Sequence, residues 1–304
     1  MHTFSQRIKQ ELCTTVYEKS AIKPLLTSFF INNLTVHINS EKEWWEIRSQ
    51  FLPIVRLISS LLKQQYKIKQ QIGYSQIQKI NNSRIYQILI ESNLNKIRKD
   101  LKLDAIIPDE FIQNPIAKRS FIIGAFLSGG SISSIDKSVY HLEIRSTKIQ
   151  YLRIAQKILA DFNISISILS RRYVYVLYIK RATDISDFLK IIGAKQAMQE
   201  LEDKIIQRDY YSAIHRLNNL DIANLKKITT ASNQQIKMIK AIKSTKLYQQ
   251  QDKKFKYYCN MRLIYPEASL LEIVKLFKRL HNINITRTGI NHYVLKIKKI
   301  YKAL

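Results

Sequence analysis

The tetrapeptide Glu46-Ile47-Arg48-Ser49 occurs a second time as Glu143-Ile144-Arg145-Ser146, at an offset of 143 − 46 = 97 residues. Under this offset the apolar segment 25–33 falls on 122–130, and the strand-like segment 66–69 falls on 163–166. Four identical residues alone are compatible with chance. Four elements in the same order predict that an α/β unit has been duplicated.

Each copy is predicted to contain a helix, short strands, a second helix, a hairpin and a third helix. In the first copy these are residues 25–33, 34–38 with 45–48, 52–62, the pair 66–72 and 84–90, and 94–103. In the second copy they are residues 121–129, 140–145, 149–162, the pair 164–169 and 173–179, and 182–192. The second hairpin is predicted to turn at 170–172. The predicted domain covers 21–192, with repeats 21–103 and 116–192 and a linker at 104–115.

The rest of the chain is predicted to be helical. Residues 1–20 form an N-terminal helix, 193–252 a helical connector, and 253–304 a separate domain. In the last segment Ser269 and Glu272 have the spacing of a capping box at a helix start. A polar break follows, and Thr286 is a good N-cap for a second helix.

The second helix of this pair has two distinct faces. Ile290, Val294, Ile297 and Tyr301 fall on one stripe. The far side carries polar and basic residues, which are Thr288, His292, Lys296 and Lys299, with Asn291 on the flank. The pattern predicts a DNA-binding helix-turn-helix. An ordinary helical hairpin with a solvated basic face is the alternative.

Charge favours the first interpretation. The chain has 50 Lys and Arg against 23 Asp and Glu, a net charge of +27. Residues 253–304 contain twelve basic residues against Glu267 and Glu272, so 12 − 2 = +10. Codon usage that favours lysine explains part of this excess but not the shortage of acids. A polyanionic partner is therefore expected.

Other classes of protein lack support in the sequence. There is no apolar run of about 18 residues and no signal peptide, so we expect a soluble cytoplasmic protein without membrane partners. Cys13 and Cys259 are far apart, and the six histidines are scattered. We therefore expect no disulfide, metal or cofactor.

Several motifs together resemble the WhiA family of bacterial DNA-binding proteins. They are Phe121-Ile122-Ile123-Gly124-Ala125-Phe126-Leu127-Ser128-Gly129-Gly130-Ser131, His215-Arg216-Leu217-Asn218-Asn219, Ala223-Asn224-Leu225, Pro266-Glu267-Ala268-Ser269-Leu270 and Gly289-Ile290-Asn291-His292. The resemblance implies an α+β fold. A degenerate, duplicated LAGLIDADG homing-endonuclease-like domain forms one saddle, and an all-α helix-turn-helix domain follows. It also implies a nucleoid-associated role in cell division, chromosome segregation and transcription regulation, with sporulation in some lineages.

The resemblance also provides a test for nuclease chemistry. LAGLIDADG nucleases place a carboxylate at the C-terminal end of each of two packed helices to hold metal ions. Aligning Gly124 and Gly130 with the motif's two glycines puts Gly129 at the second acid position, and the offset of 97 puts Asn32 at the first. Neither can replace an anionic ligand. Asp136 and Glu143 lie nearby and are expected to be exposed charges. We predict no nuclease activity.

Double-stranded DNA is the predicted partner, with other cell-division or transcription proteins as further partners. The predicted phosphate contacts are Arg287, Lys296 and Lys299, the predicted base contacts are Thr288, Asn291 and His292, and Ser269 belongs to the same helix-turn-helix. An active nuclease and an RNA- or ribosome-associated protein are the alternatives. The family pattern has a basic residue where this chain has Tyr293, which leaves the base preference open.

Basic residues also accompany the tyrosines of the second predicted hairpin. Arg171 and Arg172 lie beside Tyr173, Tyr175 and Tyr178. Aromatic and basic side chains together are typical of a surface that contacts nucleic acid. Strand residues half packed on a core have the same composition. Auxiliary DNA contacts at Arg171 and Arg172 and a purely structural role both remain open.

Overall fold

A computed structural model of the chain describes residues 2–68, 71–76, 84–103, 114–133, 135 and 139–303. Most of the predicted linker at 104–115 lies outside these residues, as does Asp136. The chain divides into two compact units, Met1–Arg208 and Asp209–Leu304. The domain bounds given above stay predictions.

The first unit begins with α1 (Phe4–Thr14) and contains the two repeats. The first repeat comprises α2 (Lys19–Asn33), β1 (Leu34–Ile38), β2 (Glu43–Ser49), α3 (Leu52–Tyr66), β3 (Gln71–Gln76), β4 (Arg84–Ile90) and α4 (Leu94–Asp100). The second comprises α5 (Pro115–Gly129), β5 (Gly130–Ile132), β6 (Leu142–Ser146), α6 (Ile149–Ala160), β7 (Ser167–Arg171), β8 (Val174–Ile179) and α7 (Ala182–Ile192).

The two sheets have the same topology. Their strand orders are β1-β2-β4-β3 and β5-β6-β8-β7, and all neighbouring strands are antiparallel. The repeated Glu-Ile-Arg-Ser lies on the second strand of each sheet. The α+β fold with two α/β repeats is therefore confirmed.

The predicted hairpins were wrong in detail. Tyr66 ends α3 instead of beginning a strand, because Lys67 adopts a left-handed conformation (φ 51°) that stops the helix. The second hairpin turns at Arg172-Tyr173, one to two residues later than predicted. Arg172 also has a left-handed conformation (φ 54°), which a tight two-residue hairpin turn requires.

The two repeats meet where α2 packs on α5. A Cβ added at Gly124 would lie 2.4 Å from the carbonyl oxygen of Leu25 and 2.9 Å from Cβ of Ser28. The backbones are therefore too close for any side chain at position 124. Phe29 and Phe126 are buried on the same two helices and belong to one apolar core.

The strand pairing shows where the helix ends correspond. Leu34 of β1 pairs with Ile47, and Gly130 of β5 pairs with Ile144. Ile47 and Ile144, on the second strands, are 144 − 47 = 97 residues apart. Their partners Leu34 and Gly130, which directly follow the two helices, are only 130 − 34 = 96 residues apart. By this register the counterpart of Gly129 is Asn33, one residue after the predicted Asn32.

The described residues of the second unit form helices joined by short turns and contain no strand. The helix α8 (Lys195–Ile242) begins in the first unit, and the second unit continues with α9 (Lys246–Gln249), α10 (Lys253–Ile264), α11 (Leu270–His281) and α12 (Arg287–Lys302). These helices enclose their own apolar core, centred on Phe255, Tyr258 and Phe277. Among the described residues no helix is both long enough and apolar enough to cross a membrane.

Candidate nucleic-acid interface

The start of α11 is fixed by its predicted capping box. The Ser269 hydroxyl accepts a hydrogen bond from the Glu272 amide at 3.2 Å, and the Ser269 amide donates to Glu272 Oε2 at 2.7 Å. The backbone and side-chain hydrogen bonds of Ser269 hold the pKa of Glu272 below its ordinary value. The Ser269 hydroxyl is therefore already used to begin a helix, although it was predicted to belong to the DNA-binding site.

A short turn joins α11 to α12. Asn282 ends α11 in a left-handed conformation (φ 51°), and its amide donates to the Lys278 carbonyl at 3.1 Å. Thr286 caps α12, since its hydroxyl accepts from the Gly289 amide at 3.1 Å. A Cβ at Gly289 would lie 2.9 Å from Cγ1 of Ile285. The small residue at 289 therefore lets the turn pack on the first turn of α12.

An apolar stripe holds α12 on the unit. Ile290, Val294 and Ile297 are buried, as predicted. Tyr301 was predicted to continue the stripe but is 39% exposed, and Ile300 is buried in its place. Both positions are within one turn of Ile297. The wholly apolar side chain is the one that is buried, as expected when an isoleucine and a tyrosine with a polar hydroxyl compete for the same apolar surface.

Two half-buried residues of α12 contact α10 and its N-cap. The Tyr293 ring lies 6.0 Å from the rings of Phe255 and Tyr258. Lys296 Nζ lies 3.7 Å from Asp252 Oδ2 and 5.4 Å from the centroid of the Phe255 ring. Tyr293 therefore does not alter the outward face, and Lys296 already has partners of its own.

The outward face of α12 consists of exposed residues on the side opposite the apolar stripe. Its members are Arg287, Thr288, Asn291, His292, Leu295, Lys298, Lys299 and Lys302. Within the described part of the chain, none of their polar groups makes a hydrogen bond or an ion pair. Leu295, Lys298 and Lys302 were missed, although the helical period that identified the others also places them here.

A buried arginine fixes the loop before α11. Arg262 is 2% exposed, and its Nη1 donates to the Ala268 carbonyl at 2.5 Å. The same nitrogen lies 3.5 Å from the Pro266 carbonyl oxygen and 3.5 Å from Ser232 Oγ. The Ser232 hydroxyl also donates to the Pro266 carbonyl. The buried guanidinium thereby ties α10 to the carbonyls of the loop that precedes α11. No sequence pattern distinguishes this arginine from exposed ones.

In the first unit, arginines on the second sheet are held by a buried carboxylate. Glu143 accepts from Arg145 Nη2 at 2.7 Å and from Arg171 Nη1 at 3.2 Å. Glu143 is only 5% exposed, so the expectation of an exposed charge was wrong. Burial alone would raise its pKa, but the hydrogen bond and charge of Arg145, with Arg171 and His141, hold the pKa below its ordinary value.

The first sheet repeats this arrangement. Glu46 accepts from Arg48 Nε at 2.7 Å and is hydrogen-bonded to His37 Nε2 at 2.9 Å. Burial raises its pKa, but the hydrogen bonds and charges of these two partners prevail and lower it. A buried glutamate that orients an arginine two residues later is thus a shared feature of the two repeats. Arg172, by contrast, is exposed in the turn and makes no ion pair with a described residue.

Three family models cover most of the chain. Residues 23–104 match the WhiA N-terminal LAGLIDADG-like domain, 118–211 the WhiA LAGLIDADG-like domain, and 214–301 the WhiA C-terminal HTH domain. The "Probable cell division protein WhiA" of Lactiplantibacillus plantarum is 30% identical over 308 residues, which is 99% of this chain and 98% of that protein. The chain belongs to the WhiA family. A relative of the same name from Lactobacillus acidophilus is 29% identical over 312 residues, covering 100% of this chain and 99% of that one.

Solved WhiA structures agree with this fold. Full-length DUF199/WhiA from Thermotoga maritima covers 100% of this chain and 99% of its own, with a TM-score of 0.62 and 24% identity. A WhiA N-terminal LAGLIDADG domain covers 64% of this chain and 91% of its own, with a TM-score of 0.52 and 26% identity. A LAGLIDADG-like α/β domain is therefore followed by a helical helix-turn-helix region.

In this WhiA chain the positions implied for metal-binding acids hold no carboxylate. Asn32 Nδ2 donates to Ser128 Oγ and to the Arg145 carbonyl, both at 3.0 Å. Asn33 Nδ2 donates to the Arg48 carbonyl at 3.0 Å. A Cβ at Gly129 would lie 2.3 Å from the Arg145 carbonyl oxygen. The amides face backbone carbonyls, and position 129 has no room for a side chain.

The described residues also contain no group of three or more His, Cys, Asp or Glu placed to hold a metal ion. Burial raises the pKa of the Cys13 thiol to about 12, and burial has the same effect on Cys259. Both thiols are therefore protonated at neutral pH, and neither is prepared to act as a thiolate ligand.

Proposed function

We propose that this WhiA-family chain is a non-enzymatic protein that binds double-stranded DNA through the outward face of α12. The observation that supports this most strongly is the division of α12 into two faces. One is seated by Ile290, Val294 and Ile297, and the other presents polar groups that have no partner among the described residues. A recognition helix of a helix-turn-helix has this arrangement.

The exposed side chains suit two kinds of contact. Near the N-terminus of α12, Thr288, Asn291 and His292 have the size and the hydrogen-bonding groups to reach base edges, and the Asn291 amide fits adenine. The basic side chains Arg287 and Lys299, together with Lys298 and Lys302, would contact phosphates. Lys296 is a weaker candidate for such a contact, since it would have to leave Asp252 and Phe255.

The proposal is tested with the full-length protein and a library of random duplexes. Repeated selection should enrich one sequence class, and the logarithm of its affinity should fall linearly with the logarithm of salt concentration. Structured RNA at the same salt concentration is the competitor. If the RNA displaces the selected duplex at equal concentration, an RNA-associated protein becomes the better interpretation.

We propose further that the protein does not cut DNA. Support comes from the amides at Asn32 and Asn33 and from the lack of space at Gly129. Supercoiled plasmid should stay intact in the presence of Mg²⁺ or Mn²⁺. Nicking that disappears in an Asp136→Asn variant would show that nuclease activity has been retained.

The second sheet offers auxiliary DNA contacts at Arg171 and Arg172. The side chain of Arg171 is 52% exposed even though it is paired with Glu143, and Arg172 lies exposed at the hairpin turn. Reversing both charges should lower the DNA affinity and reduce its salt dependence. An unchanged affinity and salt slope would assign both residues a purely structural role.

The cellular role that we propose follows the relatives, which carry the name "Probable cell division protein WhiA". The protein would act on the nucleoid in the cytoplasm, in transcription regulation and chromosome segregation linked to cell division, together with other cell-division or transcription proteins. Genome-wide mapping of bound sites in dividing cells tests this role. Binding without any preferred loci would contradict it.

A further inference from the structure

The centre of the outward face of α12 is an apolar residue. Leu295 is 56% exposed. At about 100° per residue it falls between Asn291 and His292 on the turn before it and between Lys298 and Lys299 on the turn after it. All four of these neighbours are polar or charged and exposed. The leucine therefore lies where base contacts are proposed, and not at the edge of the apolar core.

A single exposed leucine needs no explanation on an ordinary surface. Here its position matters, because a helix inserted in the major groove brings the middle of its outward face closest to the bases. The major groove of B-DNA exposes an apolar group only at thymine, the C5-methyl. Leu295 cannot form a hydrogen bond with a base edge. The thymine methyl is the group on a base that its side chain complements.

We infer that Leu295 reads the methyl group of a thymine within about two base pairs of the adenine contacted by Asn291. This inference rests on the proposed DNA binding. Four residues of α-helix rise about 6 Å, while successive base pairs are about 3.4 Å apart, so the two side chains reach neighbouring base pairs. The chain thus prefers a site in which A and T lie close together.

The test uses the full-length protein and the duplex obtained by selection. Each thymine of that duplex is replaced in turn by deoxyuridine, which removes one methyl group and leaves the hydrogen-bonding groups unchanged. At one thymine near the selected adenine, the wild-type affinity should fall about fourfold, the effect of losing one buried methyl group. In Leu295→Ala, thymine and deoxyuridine at that position should bind equally.

Leu271→Ala is the matched control, because Leu271 is also 56% exposed but lies on α11. This variant should retain the fourfold discrimination. The inference is overturned if no thymine shows the loss, or if Leu295→Ala still discriminates between the two bases. A library that yields no preferred duplex would contradict the proposed base recognition by α12, which is a separate and recognisable result.

Discussion

Polar side chains at the α2–α5 contact are hydrogen-bonded within the protein, whereas those on the outward face of α12 have no such partners among the described residues. At the α2–α5 helix ends, Asn32 and Asn33 donate to carbonyls of their own unit. On α12, Asn291 and Lys299 are exposed and make no hydrogen bond or ion pair within the described chain. Groups that are already paired hold a fold together, whereas exposed and unpaired groups are available to another molecule. The comparison supports a structural role for the first region and the proposed recognition role for the second.

The largest expected effect is at the helix crossing. Gly124→Ala would place a Cβ 2.4 Å from a backbone oxygen, and we expect it to lower the free energy of unfolding of the first unit by about 3 kcal/mol. Urea unfolding followed by tryptophan fluorescence measures this, because both tryptophans, Trp44 and Trp45, lie in that unit. Gly73→Ala is the control, since its Cβ would meet Gln87 at an ordinary 3.5 Å. Equal losses in the two variants would contradict the close crossing.

A smaller loss of stability is expected in the second sheet. Glu143→Gln removes the charge that orients Arg145 and Arg171 and should cost about 2 kcal/mol at neutral pH. The pKa of this carboxyl in the folded protein is below the ordinary 4.5, so its contribution is complete above that value and is lost as the pH falls through the folded-state pKa. The free energy of unfolding of the variant should therefore fall less than that of the wild type as the pH is lowered. The exposed Glu41→Gln is the control, and identical acid profiles in the two variants would rule out the buried ion pair.

On α12, substitution should change binding and leave stability unaltered. Asn291→Ala should weaken binding to the selected duplex by at least about 1 kcal/mol, roughly fivefold, because a bidentate contact to adenine is lost. Fluorescence anisotropy of a labelled duplex measures the affinity. Asn260→Ala, an exposed asparagine on α10, should bind like the wild type. A loss of thermal stability in Asn291→Ala would place this side chain within the fold.

The smallest expected effect separates two lysines of one helix. Lys299→Gln should reduce the slope of log affinity against log salt concentration by about 0.9, the effect of one lost phosphate contact. Lys296→Gln should change this slope less, because Lys296 already lies against Asp252 and Phe255. Affinities measured at four or five salt concentrations give both slopes. Equal changes would mean that Lys296 leaves its intramolecular partners when DNA binds.

The repeats and the helix-turn-helix could be predicted because both rest on local pattern. Glu46 and Glu143 share a repeated tetrapeptide, and the caps at Ser269 and Thr286 need only neighbouring residues. The one-residue difference between helix and strand offsets could not be predicted. It arises between α2 and β2, where the two copies share too few identical residues to mark a shift of one position.

Other details depend on contacts between distant parts of the chain. The burial of Glu143 requires Arg171 from a different strand, and the hydrogen bonds of Arg262 require a loop that the sequence does not position. Periodicity placed Lys296 on the polar face but gave no sign of Asp252 beside it. Patterns thus assign residues to faces, whereas partners are known only when the tertiary fold is known.

The close approach at Gly124 limits how such a protein can change over generations. Asn32 and Asn33 lie at the half-exposed rim of the helix contact, where a substitution loses one or two hydrogen bonds. Any side chain at Gly124, by contrast, collides with the main chain of the other repeat. Single substitutions can therefore change the groups presented at the rim, whereas the crossing point has to stay fixed if the two repeats are to keep their packing.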